Sequence, residues 1–480
     1  MSNSLKEKAT KGMLWSAVDR FAAQGAQFII SIVLARLLMP EDFGLIGMLT
    51  IFIAISQSFV DSGMGSGLIQ KKNRTDIDFS TVFIFNIGVS LLFYLILFLS
   101  APLIANFYDR PELIILTRVL GLNIIINSLA IVQRSRLSIN IDFKTFAKVN
   151  TLSIFLSGAI AIGIAYKGFG VWALVAQNLL NAGISVILFW WFGKWTASLK
   201  FSSNSFKQLF SYGSKLLIAS LYSRSLNEIY NAVIGRVYSA ESLGFYTNAK
   251  KLSEATSQTV TSILQQVTFP ILSSLQDDKE RLVSVYSRLI RMTAFFIIPL
   301  MTLFALLADP FIRLLLTDKW EAAIPLLQWL CFARIVTPIS IVNMNILNAV
   351  GRSDLFLKVD LSKLPIIVIA LIITIPLGVK AMVIGSVVTS LISFFINAYM
   401  PGKLFGYGAV GQLRDLFPVI VSVIFMSILV YISLLFISSN IAKLLIGGFV
   451  GIITYLFTTY LIKINEFFEI RNYIKNLIKK

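Results

Sequence analysis

A chain of 480 residues that is 56% hydrophobic, only 14% charged and has a mean hydropathy of +0.80 is not composed like a soluble domain, where charged residues make up about 25%. Histidine is absent and Cys331 is the single cysteine. That excludes histidine-ligated metal sites, Ser-His-Asp or Cys-His catalysis, a histidine proton relay and an internal disulfide. A net charge of +18 would suit nucleic acid, but its distribution along the chain fits a membrane instead.

Apolar runs long enough to cross a bilayer recur from end to end, so the sequence predicts an all-α, polytopic membrane protein. Fourteen spans are placed at 12–38, 43–67, 80–107, 112–133, 145–166, 169–192, 206–237, 240–271, 284–308, 321–349, 356–376, 380–401, 412–436 and 442–463. The first, from about Met13 to Leu38, is too long for the apolar part of a cleaved leader and shows no small-residue cleavage site. Most of the 42 Lys and Arg fall in the N-terminus, the even-numbered connections and the tail, and few fall in the odd-numbered connections. The positive-inside rule then puts both termini in the cytoplasm. The basic residues face an anionic leaflet, and nucleic acid is not needed to explain them. Trp190, Trp191 and Trp195 cluster where the sixth span meets the cytoplasmic interface, as an aromatic belt does. No connection exceeds about 20 residues, which leaves no room for an extramembrane catalytic domain.

The chain also repeats itself. "VLARLLMPEDFGLIGM" (33–48) aligns without a gap on "VIGRVYSAESLGFYTN" (233–248), so that Val33/Val233, Arg36/Arg236, Glu41/Glu241 and Gly44/Gly244 coincide. "FAKVN" (146–150) echoes "FLKVD" (356–360), and "GVWA" (170–173) echoes "GVKA" (378–381), in the same order. This predicts two pseudo-symmetric six-helix bundles, 1–205 and 206–402, joined by the polar stretch 193–207. Two additional helices follow in 403–465, then a basic amphipathic tail in 466–480. In that tail Ile470, Ile474 and Leu477 share one helical face and Arg471, Lys475 and Lys479 another, the pattern of a helix anchored on the inner leaflet.

Four spans carry polar stripes at helical spacing. Span 1 has Arg20, Gln24, Gln27 and Ser31, with Asp19 beside them; span 2 has Thr50, Ala54, Gln57 and Asp61. Span 7 has Arg224, Asn227, Glu228 and Asn231, and span 8 has Lys251, Glu254, Gln258, Thr261 and Gln265. A charge at the bilayer centre costs about 2.5–3.5 kcal/mol on insertion scales, so such groups face an interior or a water-filled cavity. The first two helices of each bundle are therefore expected to line one hydrated path for a polar, anionic cargo. The competing local reading pairs Arg224 with Glu228 as interhelical glue. Arg36 and Arg236 sit at the outer rim, where their shared R…E…G setting points to turn stabilisation. Arg118 and Arg334 are single charges in spans 4 and 10, compatible with packing or with function. Asp360 and Lys363 read as a local pair at the start of span 11. "SGMGSG" (62–67) follows no strand and lacks a P-loop lysine, so it marks a close helix approach or a helix end and not a phosphate cradle.

"ARLLMPEDFGLIGM", "FPILSSLQDDKERL" (269–282) and "LADPFIRLLLTDKWEAAIPLLQWL" (307–330) resemble the polysaccharide flippases of the multidrug/oligosaccharidyl-lipid/polysaccharide exporter superfamily, in particular the bacterial lipopolysaccharide and exopolysaccharide exporters. The likeness runs through the whole chain in the same order. It implies a V-shaped two-bundle fold with a cavity lined mainly by helices 1, 2, 7 and 8. It also implies an undecaprenyl-pyrophosphate-linked oligosaccharide as cargo, moved from the cytoplasmic to the periplasmic leaflet beside polysaccharide polymerase and assembly machinery. By position, Arg20, Lys215, Arg224 and Lys251 are carried over as pyrophosphate contacts, since Arg can fork onto phosphate oxygens. Gln24, Gln57, Asn227, Asn231 and Gln258 complete the expected cargo lining. Asp19, Asp61, Glu228 and Glu254 are the expected groups for exchange of H+ or Na+. No metal, cofactor or nucleotide site is expected.

Two rival functions fit the same sequence pattern. A small-molecule antiporter of the same fold would export cationic drugs, although basic residues exceed acidic ones in the stripes. A membrane glycosyltransferase or polymerase would need catalytic carboxylates on a substantial loop, and the external connections are short.

Overall fold

The computed structural model describes Trp15 and residues 22–193 and 195–478; among these, every regular element is helical. Packing divides the chain into two units, Met1–Thr247 and Asn248–Lys480. The first contains α1 (Ala22–Leu37), α2 (Pro40–Asp61), α3 (Met64–Gln70), α4 (Asp76–Tyr108), α5 (Leu113–Ser128), α6 (Ile131–Ile139), α7 (Phe143–Tyr166), α8 (Val171–Gly193) and α9 (Ser203–Val237), with the start of α10 (Ala240–Ser273). The second contains the rest of α10, then α11 (Lys279–Leu306), α12 (Ala308–Leu315), α13 (Ala323–Ala349), α14 (Ser353–Leu361), α15 (Leu364–Thr374), α16 (Val379–Phe405), α17 (Ala409–Leu435), α18 (Asn440–Leu461) and α19 (Asn465–Ile478).

Ten of the described helical stretches are long and apolar enough to cross a membrane. A helix of 22 residues such as α18 rises about 33 Å, against a hydrocarbon core of about 30 Å. The other four stretches expected to span fall short for physical reasons. The described helix of the first is only 16 residues long, Ala22–Leu37. α9 and α10 have 35 and 34 residues, ample length, but their polar stripes lower their mean hydropathy. The expected span 11 is split into α14 and α15. Pro365 has no N–H for the Leu361 carbonyl, and its ring crowds the preceding turn.

In the first unit α9 packs along α2, and α4 pairs with α5 as α7 does with α8. The helix that the repeat assigns to the start of a second bundle thus lies among the helices of the first. Two glycine contacts frame this pairing. Gly63 (φ +67°) sits in the break between α2 and α3, where a side chain would strike the backbone of Gly213 on α9. Toward the other end of α9 a side chain on Gly235 would meet Met48, 2.9 Å away. Those glycines are 22 residues apart, about 33 Å of helix. The expected close approach at 62–67 is therefore present.

The repeat has a direct structural counterpart. A Cβ on Gly44 would fall on the Ala240 carbonyl oxygen, and a Cβ on Gly244 on the Pro40 carbonyl oxygen. Positions 40 and 240, like 44 and 244, are repeat mates, so the N-termini of α2 and α10 cross backbone to backbone about a local twofold. Each start is held in its own way. Asp42 accepts from the Met39 amide at 2.9 Å, and Ser239 Oγ accepts from the Ser242 amide at 3.0 Å.

The second unit is held by a fully buried polar knot. Gln412 Nε2 donates to Tyr286 Oη (3.0 Å) and to Asn343 Oδ1 (2.9 Å), and Tyr286 donates to Asn343, joining α11, α13 and α17. Arg291 on α11 binds Asp415 (3.2 Å) and the buried Glu466 (2.7 Å), and Arg288 binds Glu469, so the C-terminal helix is docked on α11. In the connection after α11, Arg313 is gripped by Asp309, Asp318 and Glu321 at 2.6–2.9 Å. The Asp309 bond and then the other two raise its pKa above the ordinary arginine value.

The glycine crossing gives a stability test. Gly244→Ala is expected to destabilise detergent-solubilised protein by about 1–3 kcal/mol through overpacking, read from thermal unfolding. Gly183→Ala, where a Cβ meets nothing within 4 Å, is expected to leave stability unchanged or slightly raised.

Candidate functional site

The polar groups of α2 and α9 meet across the interface between these helices. Ser202 caps α9 by accepting from the Ser205 amide, and the helix then runs without a break to Val237. Arg224, Asn227, Glu228 and Asn231 fall on one face. Arg224 reaches across to α2: its Nη2 donates to Asp61 Oδ2 at 2.8 Å and its Nη1 to the Ala54 carbonyl at 3.4 Å. Gln57 Nε2 steadies the other carboxylate oxygen of Asp61 at 2.9 Å.

One turn along, Thr50 Oγ1 donates to Glu228 Oε2 at 2.9 Å. Asn231 Nδ2 donates to the same Glu228 oxygen and lies 3.2 Å from Thr50 Oγ1. Asn231 is buried, whereas the side chains of Arg224 and Asp61 keep 36% and 39% of their exposure. The seam is thus closed at Asn231 and open at Arg224. A half-exposed ion pair is weakly held and can exchange partners, which is what an anion-binding arginine requires.

In the second unit a similar arrangement joins α10 and α13. Glu254 and Arg334 form an ion pair, and Ser257 Oγ approaches the Arg334 carbonyl at 3.5 Å. Lys251 and Gln258 are exposed on the same face of α10, one turn to either side of Glu254. Arg118 stays in the first unit, with its guanidinium 4.3 Å above the Phe98 ring, a cation–π contact.

The structure therefore brings Gln57, Asp61, Arg224, Glu228 and Asn231 into one seam and places Lys251, Glu254 and Gln258 on one helix face. Asn227 is exposed on α9. Lys215 is exposed nine residues before Arg224, about 14 Å along the helix. Gln24 is half-buried on α1. Asp19 and Arg20 lie outside the described residues. The sequence places Thr50 in the span 2 stripe but gives it no role, and leaves Arg334 open between packing and function. The signal for Arg334 was its position as the only charge in an apolar stretch; its partner belongs to another helix and has no sequence spacing. At the rim, Arg236 pairs with Asp109 and lies over Phe107, and Arg110 pairs with Glu41, so these residues bind the α4–α5 connection.

The described residues thus form an all-helical fold with a charged, partly open seam between two of its helices. Comparison with known proteins gives its family. A family model described as "Polysaccharide biosynthesis protein" matches residues 33–325, and the chain belongs to that family. It is 27% identical to the teichuronic acid biosynthesis protein TuaB of Bacillus subtilis (strain 168), covering 73% of both chains. It is 23% identical to the lipopolysaccharide biosynthesis protein WzxC of Escherichia coli (strain K12), covering 82% of this chain and 81% of that one. Among solved structures it resembles the lipid II flippase MurJ in an inward closed conformation, with a TM-score of 0.77, 16% identity, and coverage of 94% of this chain and 98% of that one. At that identity the likeness concerns the fold.

The seam predicts coupling. Arg224→Ala and Asp61→Ala, measured singly and together by thermal unfolding, are expected to be non-additive by about 0.5–1 kcal/mol, the range for a partly exposed pair. Strict additivity would show that the two side chains do not act on each other.

Proposed function

We propose that this chain is a flippase of the bacterial cytoplasmic membrane that moves a polyprenyl-pyrophosphate-linked oligosaccharide from the cytoplasmic to the periplasmic leaflet, supplying surface polysaccharide synthesis. The observation that carries this reading is the Arg224–Asp61 seam: a guanidinium half open to its surroundings, within helices otherwise built for lipid. Membership of the polysaccharide biosynthesis family supports the cargo class. In this reading the chain crosses the membrane fourteen times with both termini in the cytoplasm. Its two six-helix halves, 1–205 and 206–402, rock to expose the path to one leaflet and then the other.

The chemistry follows from charge. A pyrophosphate cannot enter hydrocarbon unaided; it needs fixed cations that cost little to redirect. Arg224, held by Asp61 in the resting state, transfers to the phosphate oxygens when cargo arrives, and Asp61 takes the arginine back on release. Uptake of H+ or Na+ at Asp61 weakens its hold on Arg224 and so links cargo binding to an ion gradient. Glu228, held by Thr50 and Asn231, keeps the neighbouring turn in place. Lys215, Lys251 and Arg20 add further positive charge to the path, with Gln24, Asn227 and Gln258 as hydrogen-bonding groups for the sugars. Asp19 and Glu254 are further candidates for ion exchange.

The test is the leaflet distribution of the lipid-linked oligosaccharide in cells depleted of the protein. Depletion is expected to trap it on the cytoplasmic leaflet; wild type should clear it, and Arg224→Ala should reduce clearance at least tenfold. Rescue by both would return Arg224 to a structural role. Absence of any accumulation would remove the flippase reading and favour small-molecule export, checked by drug resistance.

A further inference from the structure

The second unit carries an open crevice of about 500 Å3 between α13, the broken pair α14–α15 and α16. None of its wall belongs to α9 or α10; α13, which carries Arg334, supplies one side from Val336 on. Its volume falls within the range of ligand pockets, roughly 300–1,000 Å3, and is far too large for a bare ion. The wall is apolar over most of its area, with neutral polar groups set into it: Asn345 and Asn348 from α13, and Ser393 and Asn397 from α16. Asp360 and Lys363 lie at its edge and hold each other at 2.5 Å.

Two of its groups are incomplete. Asn397 is only 2% exposed, yet its side-chain oxygen has no hydrogen-bond partner; the Ser340 hydroxyl is in the same state. Leaving a buried polar group unpaired costs about 1–3 kcal/mol, and folded proteins contain few of them. Two in one crevice, beside a helix broken by Pro365, match the way transporters build ligand sites at discontinuous helices. Other unpaired buried atoms of this unit, at Asn248, Thr261, Thr268, Arg334 and Arg471, lie outside the crevice lining; these two are the ones that line it.

We propose that this crevice binds a single neutral pyranose, a second sugar-recognition site built from other helices than the α2–α9 seam. Each sugar hydroxyl is both donor and acceptor, so one ring satisfies the Asn397 oxygen and the Ser340 hydroxyl together. The amides of Asn345 and Asn348 reach further hydroxyls, and Phe356, also in the wall, offers an apolar surface to the ring. The choice of a sugar rests on the carbohydrate-cargo reading above.

The experiment is saturation-transfer NMR on the full chain in detergent, with glucose, galactose and N-acetylglucosamine as separate probes in large excess. At least one is expected to show saturated ring protons, and the signal should fall at least fivefold in Asn397→Ala and in Ser340→Val. Asn397→Ala removes the unpaired group and is expected to elute as folded protein; Asn348→Leu, half-buried at the wall, provides a second variant if it does not. No signal from any of the three sugars, or a signal unchanged in these variants, would overturn the proposal. Binding is read without transport, so its failure is distinct from failure of the flippase reading.

Discussion

A charge inside a bilayer has to be paired or wetted, and the first unit is arranged around that requirement. Arg224 and Glu228 on α9, and Asp61 on α2, cannot face lipid without a cost of about 2.5–3.5 kcal/mol each. The two helices therefore lie with their polar faces together, Arg224 on Asp61 and Glu228 under Thr50 and Asn231. The apolar remainder of each helix is then free to meet its neighbours. α4 can pack on both of them, and the cluster of Met64, Leu68, Phe79, Phe83, Trp195 and Leu209 closes one end.

Small residues make this geometry possible. Helices that exchange polar contacts over two turns must approach closely, and Gly63, Gly213 and Gly235 are the places where α2 and α9 do so. The reciprocal contacts of Gly44 with Ala240 and of Gly244 with Pro40 do the same for the starts of α2 and α10. A duplicated sequence that keeps glycine at both mates is the expected trace of a twofold crossing, because a Cβ on either side would collide with backbone.

Much of this was legible in the sequence, and the parts that were not share a cause. Helical content, membrane insertion and the polar faces follow from spacing within one segment, and so does the glycine break at 62–67. The partner of Arg224 does not. Spacing within α9 offers Glu228 one turn away, whereas the fold joins the guanidinium to Asp61, 163 residues earlier. Arg334 is the same case, since its carboxylate partner Glu254 sits on a helix 80 residues away in sequence. The break in the expected span 11 is different: Pro365 was visible, but a single proline inside a long apolar run reads as a kink until the packing shows two helices. The crevice beside it involves three helices, and no one-dimensional pattern brings Ser340 and Asn397 together.

A cargo path along the α2–α9 seam requires that the seam be wet and accessible. It is tested most directly by labelling Asn227→Cys with a membrane-impermeant thiol reagent in native membranes, with Cys331 replaced by alanine to remove the only other thiol. The account expects ready labelling at position 227, at least tenfold faster than at Ile234→Cys, which is fully buried on the same helix, and protection when lipid-linked oligosaccharide is supplied. Equal, negligible labelling at both positions would mean that the seam is sealed or faces lipid, and would contradict a hydrated cargo path there.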